Sequence, residues 1–153
     1  MNQKSILTTD ESSEFNFKTY LSASLRSNKR THIAVLLEKL VEIFPNNINY
    51  IGSLGRTLNH FSVQRSGEAQ EYLSIALDYY NNIGNTERYV DYVLYYLYGL
   101  IHQEKFDEVE NFIKKHPIIQ ESKYKSRLDM LRTFMAKAQG EGIEEICERF
   151  RFN

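Results

Sequence analysis

A chain of 153 residues is long enough to bury one hydrophobic core, and 42% hydrophobic with 25% charged residues is typical of a globular protein. The formal net charge of −1 argues against general binding to polyanions, and seven glycines with two prolines are too few for a protein of many short strands. The single cysteine excludes an internal disulfide, and we find neither a signal-peptide core nor a membrane-spanning apolar run, so the cytoplasm is the expected location.

The N-terminal third begins with a polar stretch and continues into helical periodicity. Residues 1–14 lack a sustained apolar period, which predicts a flexible arm, while 15–153 are expected to form one helical-repeat domain. A short helix is predicted from Phe15 to about Ser27. Pro45 is expected to end the next helix because it has no amide proton. The apolar face of that helix is predicted at Ile33, Leu36, Leu37, Leu40, Val41 and Phe44.

The middle of the chain predicts two further helices. The first runs from Ile48 to Phe61 and contains Gly52 and Gly55, which indicate close approach by another backbone. Ser66 is the predicted N-cap of the second, and Gly84 its C-terminal stop. The apolar face of that second helix is predicted at Ala69, Tyr72, Leu73, Ala76, Leu77, Tyr80 and Ile83.

A tyrosine-rich segment then predicts a central helix from Thr86 to His102, with Asn85 as its cap. Nine of the ten residues from Tyr92 to Ile101 are apolar or aromatic. A helix that is apolar all round must be covered on most sides, and tyrosine hydroxyls also require partners. We therefore expect some of these hydroxyls to open onto a groove.

The C-terminal part predicts three more helices. The first has Phe106, Val109, Phe112, Ile113 and His116 on one face and ends at Pro117. The second spans Ser122 to Ala138, with Leu128, Leu131, Phe134, Met135 and Ala138 inward, and Gly140 and Gly142 bracket the next turn. The last helix presents Ile143, Ile146, Cys147 and Phe150 inward, and a charged face outward.

The predicted helices come in pairs whose second members share apolar spacings, starting at Ile33, Ala69 and Val109. The middle pair has Ile51-x2-Leu54-Gly55-x2-Leu58 followed by Ala69-x3-Leu73-x2-Ala76, with Asn81 at a position where proline is usual. A later pair has Phe106-Asp107-Glu108-Val109. From Phe15 to Phe150 the chain thus resembles the tetratricopeptide repeat, a two-helix unit of about 34 residues. It departs from that pattern by longer periods and the absence of tryptophan. The resemblance implies an all-α fold of about eight helices, in antiparallel pairs stacked as a short right-handed solenoid.

In such arrays the first helix of each pair lines a concave binding face, so the resemblance implies a non-enzymatic interaction module that holds a peptide or partner protein. Arginine can grip a carboxylate, and asparagine can pair with peptide backbone. The candidate partner-binding residues on this face are Asn49, Arg56, Asn59, His60, Asp91, Tyr95, Tyr98, His102, Arg127 and Arg132.

Charge is segregated along the chain and leaves two other functions open. Residues 68–110 contain nine acidic and two basic residues, whereas 114–137 contain seven basic and two acidic residues. The basic stretch, with Tyr124 in it, could bind nucleic acid, although the near-neutral total makes this the weaker interpretation. A short array also exposes its ends, which favours self-association or a role as a subunit of a larger assembly.

Signals for catalysis, metals and cofactors are weak. His32, His60, His102 and His116 lack the usual spacing of a metal site, and no glycine-rich phosphate loop occurs. Cys147 lies on an apolar helix face, which is typical of a core thiol rather than a nucleophile. We therefore expect neither an enzyme nor a bound cofactor.

Overall fold

The computed structural model describes residues 18, 19 and 29–151, and the side chains of residues 147 and 149–151 are outside that description. The predicted arm at 1–14, nearly all of the predicted first helix, and the predicted inward positions of Cys147 and Phe150 therefore lie outside the described residues.

Every regular element among residues 29–151 is helical, which confirms the predicted all-α class for this part of the chain. Seven α-helices pack against each other. Their bounds are α1 Arg30–Ile43, α2 Ile48–Asn59, α3 Ser66–Asn82, α4 Thr86–His102, α5 Phe106–Lys115, α6 Lys125–Glu141 and α7 Ile143–Arg151. Two 3-10 turns, Pro117–Gln120 and Ser122–Tyr124, join α5 to α6.

Several helix ends lie where the sequence predicts them. Asn47 caps α2 by accepting from the backbone N–H groups of Asn49 and Tyr50, and Asn85 caps α4 by accepting from the N–H of Arg88. Gly84 adopts a φ of +76° after α3, the left-handed conformation that glycine tolerates best at a helix end.

Four predicted boundaries are wrong. Helix α2 ends at Asn59 rather than at Phe61. Ser66 is the first residue of α3 rather than its cap, because its hydroxyl bonds the His102 ring on α4 instead of its own helix. Helix α6 begins at Lys125, since the preceding residues form 3-10 turns. It then continues through Gly140, so only Gly142, with a φ of +93°, makes the turn.

Helix α4 is packed on most sides, as its apolar sequence predicts. It contacts α2, α3, α5, α6 and the first 3-10 turn. Its buried residues lie around most of the circumference and include Val90, Val93 and Leu97, which are fully buried. Three helices in series, α2, α4 and α6, therefore pack side by side with α4 in the middle.

Two helix contacts depend on glycine in α2. A Cβ added at Gly52 would overlap the hydroxyl of Tyr92, which is stacked on Tyr80 in the core. A Cβ at Gly55 would lie 2.8 Å from Leu73 Cδ2 and 3.2 Å from the Leu73 backbone nitrogen. The predicted close approach therefore holds at Gly55, where the neighbour includes backbone, whereas at Gly52 it is a tyrosine side chain.

We expect Gly55→Ala to destabilise the protein by about 1–3 kcal/mol, because α2 and α3 must separate to admit the methyl group. Gly140→Ala is the matched control. Gly140 is also helical but has open space around it, so alanine should stabilise by up to about 1 kcal/mol through its helix propensity. Urea unfolding followed by circular dichroism measures both. A Gly55→Ala protein as stable as wild type would contradict the close approach.

Candidate functional site

A cavity of about 430 Å³ opens between α2, α4 and α6, and we call it the tyrosine cavity. Six of the ten residues predicted to bind a partner line it, namely Arg56, Asn59, His60, Tyr95, Tyr98 and His102. Helical spacing places three of these residues on one face of α4, because Tyr95, Tyr98 and His102 follow at intervals of three and four residues.

Three lining residues were missed by sequence reasoning. Arg30 comes from the first turn of α1, Phe61 follows α2, and Phe134 comes from α6, where the pattern assigns it to the core. Phe134 is half-buried and lies against Tyr98, with ring centroids 5.6 Å apart. In the sequence, Phe134 could be noted for its aromatic ring and Arg30 for its position near a predicted helix start. Neither feature shows which helices contact each other, so neither residue could be assigned to the cavity.

Arg56 lies over an aromatic ring at this site. Its guanidinium carbon is 5.6 Å from the centroid of Tyr95, which is cation–π distance. Burial raises the pKa of the nearby Tyr92 hydroxyl, and the positive charge of Arg56 offsets part of that effect. Among the described residues, no carboxylate forms an ion pair with Arg56 or with Arg30.

Asn59 joins two helices rather than offering its amide to the cavity. Its Nδ2 donates to the backbone oxygen of Tyr95 at 2.9 Å, across the α2–α4 contact. Its Oδ1 is buried without a partner among the described residues, and a Cβ at Gly99 would lie only 2.6 Å from that oxygen. Asn59 therefore fixes the spacing of the helices that carry Arg56 and Tyr95.

Two histidines of the cavity favour the neutral form. Burial, followed by the positive charge of Arg30 and by His102, lowers the pKa of His60 to about 4. Burial also lowers the pKa of His102, and a hydrogen bond between its ring and the backbone of Asn59 opposes that shift. The His60 Nδ1 accepts from the N–H of Ser62 at 3.1 Å, which places the proton of the neutral ring on Nε2.

The other four predicted residues lie outside this cavity. Asn49 is exposed in the first turn of α2. Asp91 and Arg127 bind each other, with Arg127 Nη2 at 2.8 Å from Asp91 Oδ1. Arg132 donates two hydrogen bonds to the carboxylate of Glu110, at 2.9 and 3.1 Å.

The segregated charges of the sequence are partly neutralised by contacts within the fold. Lys123 and the hydroxyl of Tyr124 both contact Glu87, and Lys125 pairs with Asp129 on its own helix. With the ion pairs of Arg127 and Arg132, four of the seven cations in 114–137 have carboxylate partners. This arrangement reduces the positive surface that a nucleic acid would contact.

Two neighbouring cavities have volumes of about 490 and 520 Å³, and His102 lines both of them as well as the tyrosine cavity. The first contains Arg65, but that guanidinium binds the carboxylates of both Glu38 and Glu68. The second is lined by four glutamates, Glu104, Glu141, Glu144 and Glu145. Of the three cavities, the tyrosine cavity alone combines arginine with several aromatic walls, within the described chain.

Within residues 18–19 and 29–151, no group of three or more His, Cys, Asp or Glu side chains is placed to hold a metal ion. No helix in the described ranges is both long and apolar enough to cross a bilayer.

The histidine environments predict a pH dependence of stability. Between about pH 4 and 6.5 the unfolded chain holds a proton on His60 that the folded chain lacks, so stability rises with pH through this window and falls on acidification. His60→Gln should reduce the change in Tm between pH 7 and pH 5, and His102, whose pKa is also lowered, should account for part of the change that remains. His32→Gln, on the exposed side of α1, is the matched control and should retain the whole change. If the Tm of His60→Gln changed with pH as much as that of the wild type, the lowered pKa of His60 would be contradicted.

Comparison of the chain with protein-family models, with curated proteins and with solved structures finds no match, so the geometry of the tyrosine cavity itself is the basis for any functional assignment.

Proposed function

We propose that this protein is a non-enzymatic interaction module that holds an acidic segment of a partner protein in the tyrosine cavity. The observation that carries the proposal is the state of the arginines. Arg65, Arg127 and Arg132 are paired with carboxylates, whereas Arg30 and Arg56 at the cavity, like Arg88 outside it, have no such partner among the described residues. A negatively charged ligand would supply the anionic partner that the two arginines of the cavity lack among the described residues.

The packing order of the helices supports a tetratricopeptide-like array as the scaffold of this function. Helices α2 and α4 contact each other although α3 lies between them in sequence, and α4 contacts α6 in the same way. In a stacked array of helix pairs, the first helices of successive pairs form such a series. We propose that α2, α4 and α6 are these first helices, and that their shared face is the binding groove of a cytoplasmic adaptor.

The aromatic lining would supply the remaining affinity. Tyr95, Tyr98 and Phe134 offer ring surface, and interface energy is commonly concentrated in aromatic and arginine anchors. Burial raises the pKa of the Tyr98 hydroxyl, so it remains a neutral donor at physiological pH. The cavity thus suits an acidic group next to an apolar side chain.

We expect Arg56→Ala and Tyr98→Ala each to weaken peptide binding by about tenfold without unfolding the domain, because both side chains are partly solvated anchors. The measurement uses an immobilised array of synthetic peptides in which one aspartate or glutamate is placed beside each apolar residue type. Tm values of the variants are recorded in parallel.

Arg88→Ala is the control for this experiment. Arg88 also lies over a tyrosine ring, that of Tyr80 at 5.7 Å, but is outside the cavity. The proposal fails if Arg56→Ala and Tyr98→Ala retain the wild-type binding profile at unchanged Tm, or if Arg88→Ala weakens binding equally.

A second candidate function, self-association, is favoured by exposed apolar residues on α3. Ile75, Tyr79 and the adjoining Ile83 recur every fourth residue and are 44%, 41% and 56% exposed. Such a stripe is unusual on a helix that faces only water. Light scattering of the full chain should then give a mass above 18.1 kDa that returns to the monomer value in Ile75→Asp. A monomer mass for the wild type at all concentrations would exclude this function.

A further inference from the structure

We propose that the anion recognised in the tyrosine cavity is an aryl phosphate, the side chain of a phosphotyrosine in the bound segment. This inference rests on the function proposed above and names its ligand class. It follows from the charge, the hydrogen-bond donors and the walls of the cavity.

The charge of the cavity exceeds what a single carboxylate neutralises. Arg30 and Arg56 bring two positive charges to the lining, and none of the lining residues that the structure describes carries a carboxylate. An aspartate or glutamate side chain supplies one negative charge, whereas a phosphate monoester carries about −1.5 to −2 at pH 7. A phosphate therefore matches the two guanidinium groups, and a carboxylate leaves one of them unneutralised.

The polar groups around the cavity are predominantly donors. Each guanidinium has five N–H groups in a planar fork that suits phosphate oxygens. The Tyr95 and Tyr98 hydroxyls form no hydrogen bond within the described part of the chain, and neutral His60 holds its proton on Nε2. The three terminal oxygens of a phosphate can accept from more of these donors than the two oxygens of a carboxylate.

The position of Arg30 gives an independent reason for a strong anion. Arg30 is the first residue of α1, a helix of 14 residues with no acidic residue in its first turn and no side-chain cap from Lys29, the described residue before it. A cation at a helix N-terminus opposes the helix dipole, and an anion there is stabilised by it. A dianion bound to Arg30 would reverse this unfavourable arrangement.

The walls indicate an aromatic carrier for the phosphate. Tyr95, Tyr98 and Phe134 place three rings around a volume of about 430 Å³. Aromatic pairs gain energy when their rings stack or meet edge to face, beyond the area that they bury. A phenyl phosphate can place its ring against these aromatic side chains and its phosphate against the two arginines, so it contacts both the apolar and the cationic part of the cavity.

The test compares three fluorescent nine-residue peptide libraries with random flanks. Their central residues are phosphotyrosine, 4-carboxymethyl-phenylalanine and tyrosine, which share a phenyl ring and differ in the group at its para position. Anisotropy titrations should show the phosphotyrosine library binding about tenfold more tightly than either of the others. Arg30→Ala and Arg56→Ala should each weaken that binding by about fivefold or more, and Arg30→Lys should restore only part of it because lysine lacks the planar fork. Arg88→Ala should have no effect.

Equal binding of the phosphotyrosine and carboxymethyl libraries, with loss in Arg56→Ala, would overturn the phosphate inference and leave the proposed acidic-peptide function intact. Absence of any binding that depends on Arg56 would overturn both. Tight binding of phosphotyrosine that persists in Arg30→Ala and Arg56→Ala, with unchanged Tm, would overturn the assignment of the phosphate to this cavity.

Discussion

The fold depends on how closely α2 and α4 approach each other. Gly52 and Gly99 provide the space, Tyr92 fills the gap above Gly52, and Asn59 bonds the Tyr95 carbonyl beside Gly99. A Cβ at either glycine would overlap a side chain of the neighbouring helix, Tyr92 at Gly52 and Asn59 at Gly99, so that side chain would have to shift or the helices to separate. The geometry of the candidate site thus depends on two glycines and the Asn59 amide in the helix contact as well as on the side chains that would touch a ligand.

The two ends of α4 have different electrostatic surroundings. At the start of the helix, Glu87 and Asp91 pair with Lys123 and Arg127, and the side chains of both pairs remain exposed to water. Exposed pairs of this kind contribute little stability individually, about 0–1 kcal/mol. Toward the end of α4, the described lining of the tyrosine cavity includes Arg30 from α1 and Arg56 from α2 and no carboxylate. The start of α4 is therefore in contact with paired charges, whereas its end faces two arginines from other helices that have no carboxylate partner among the described residues.

Much of the helical pattern was predictable because it depends on local rules. Apolar periodicity, Pro45, Pro117, Asn85 and Gly84 place most helix ends, and i, i+3 and i+7 spacing brings Tyr95, Tyr98 and His102 onto one face. The wrong prediction for Ser66 has a long-range cause. The Ser66 hydroxyl is engaged by His102, 36 residues away, and no local pattern reveals that contact. Likewise, the pairing of Asp91 with Arg127 requires the register between α4 and α6. The sequence could identify Asp91 and Arg127 as candidate groove residues, but it could not show that they bind each other.

The amide of Asn59 has a consequence for the chemical durability of the protein. It is 5% exposed, and its nitrogen is the donor to the Tyr95 carbonyl. Deamidation would turn that donor into an acceptor and leave an ionisable acid facing a carbonyl oxygen in the interior, at a cost of several kcal/mol if it stayed charged. Slow hydrolysis of one side chain would thereby loosen the α2–α4 contact, and an ageing sample would lose its groove before its helices.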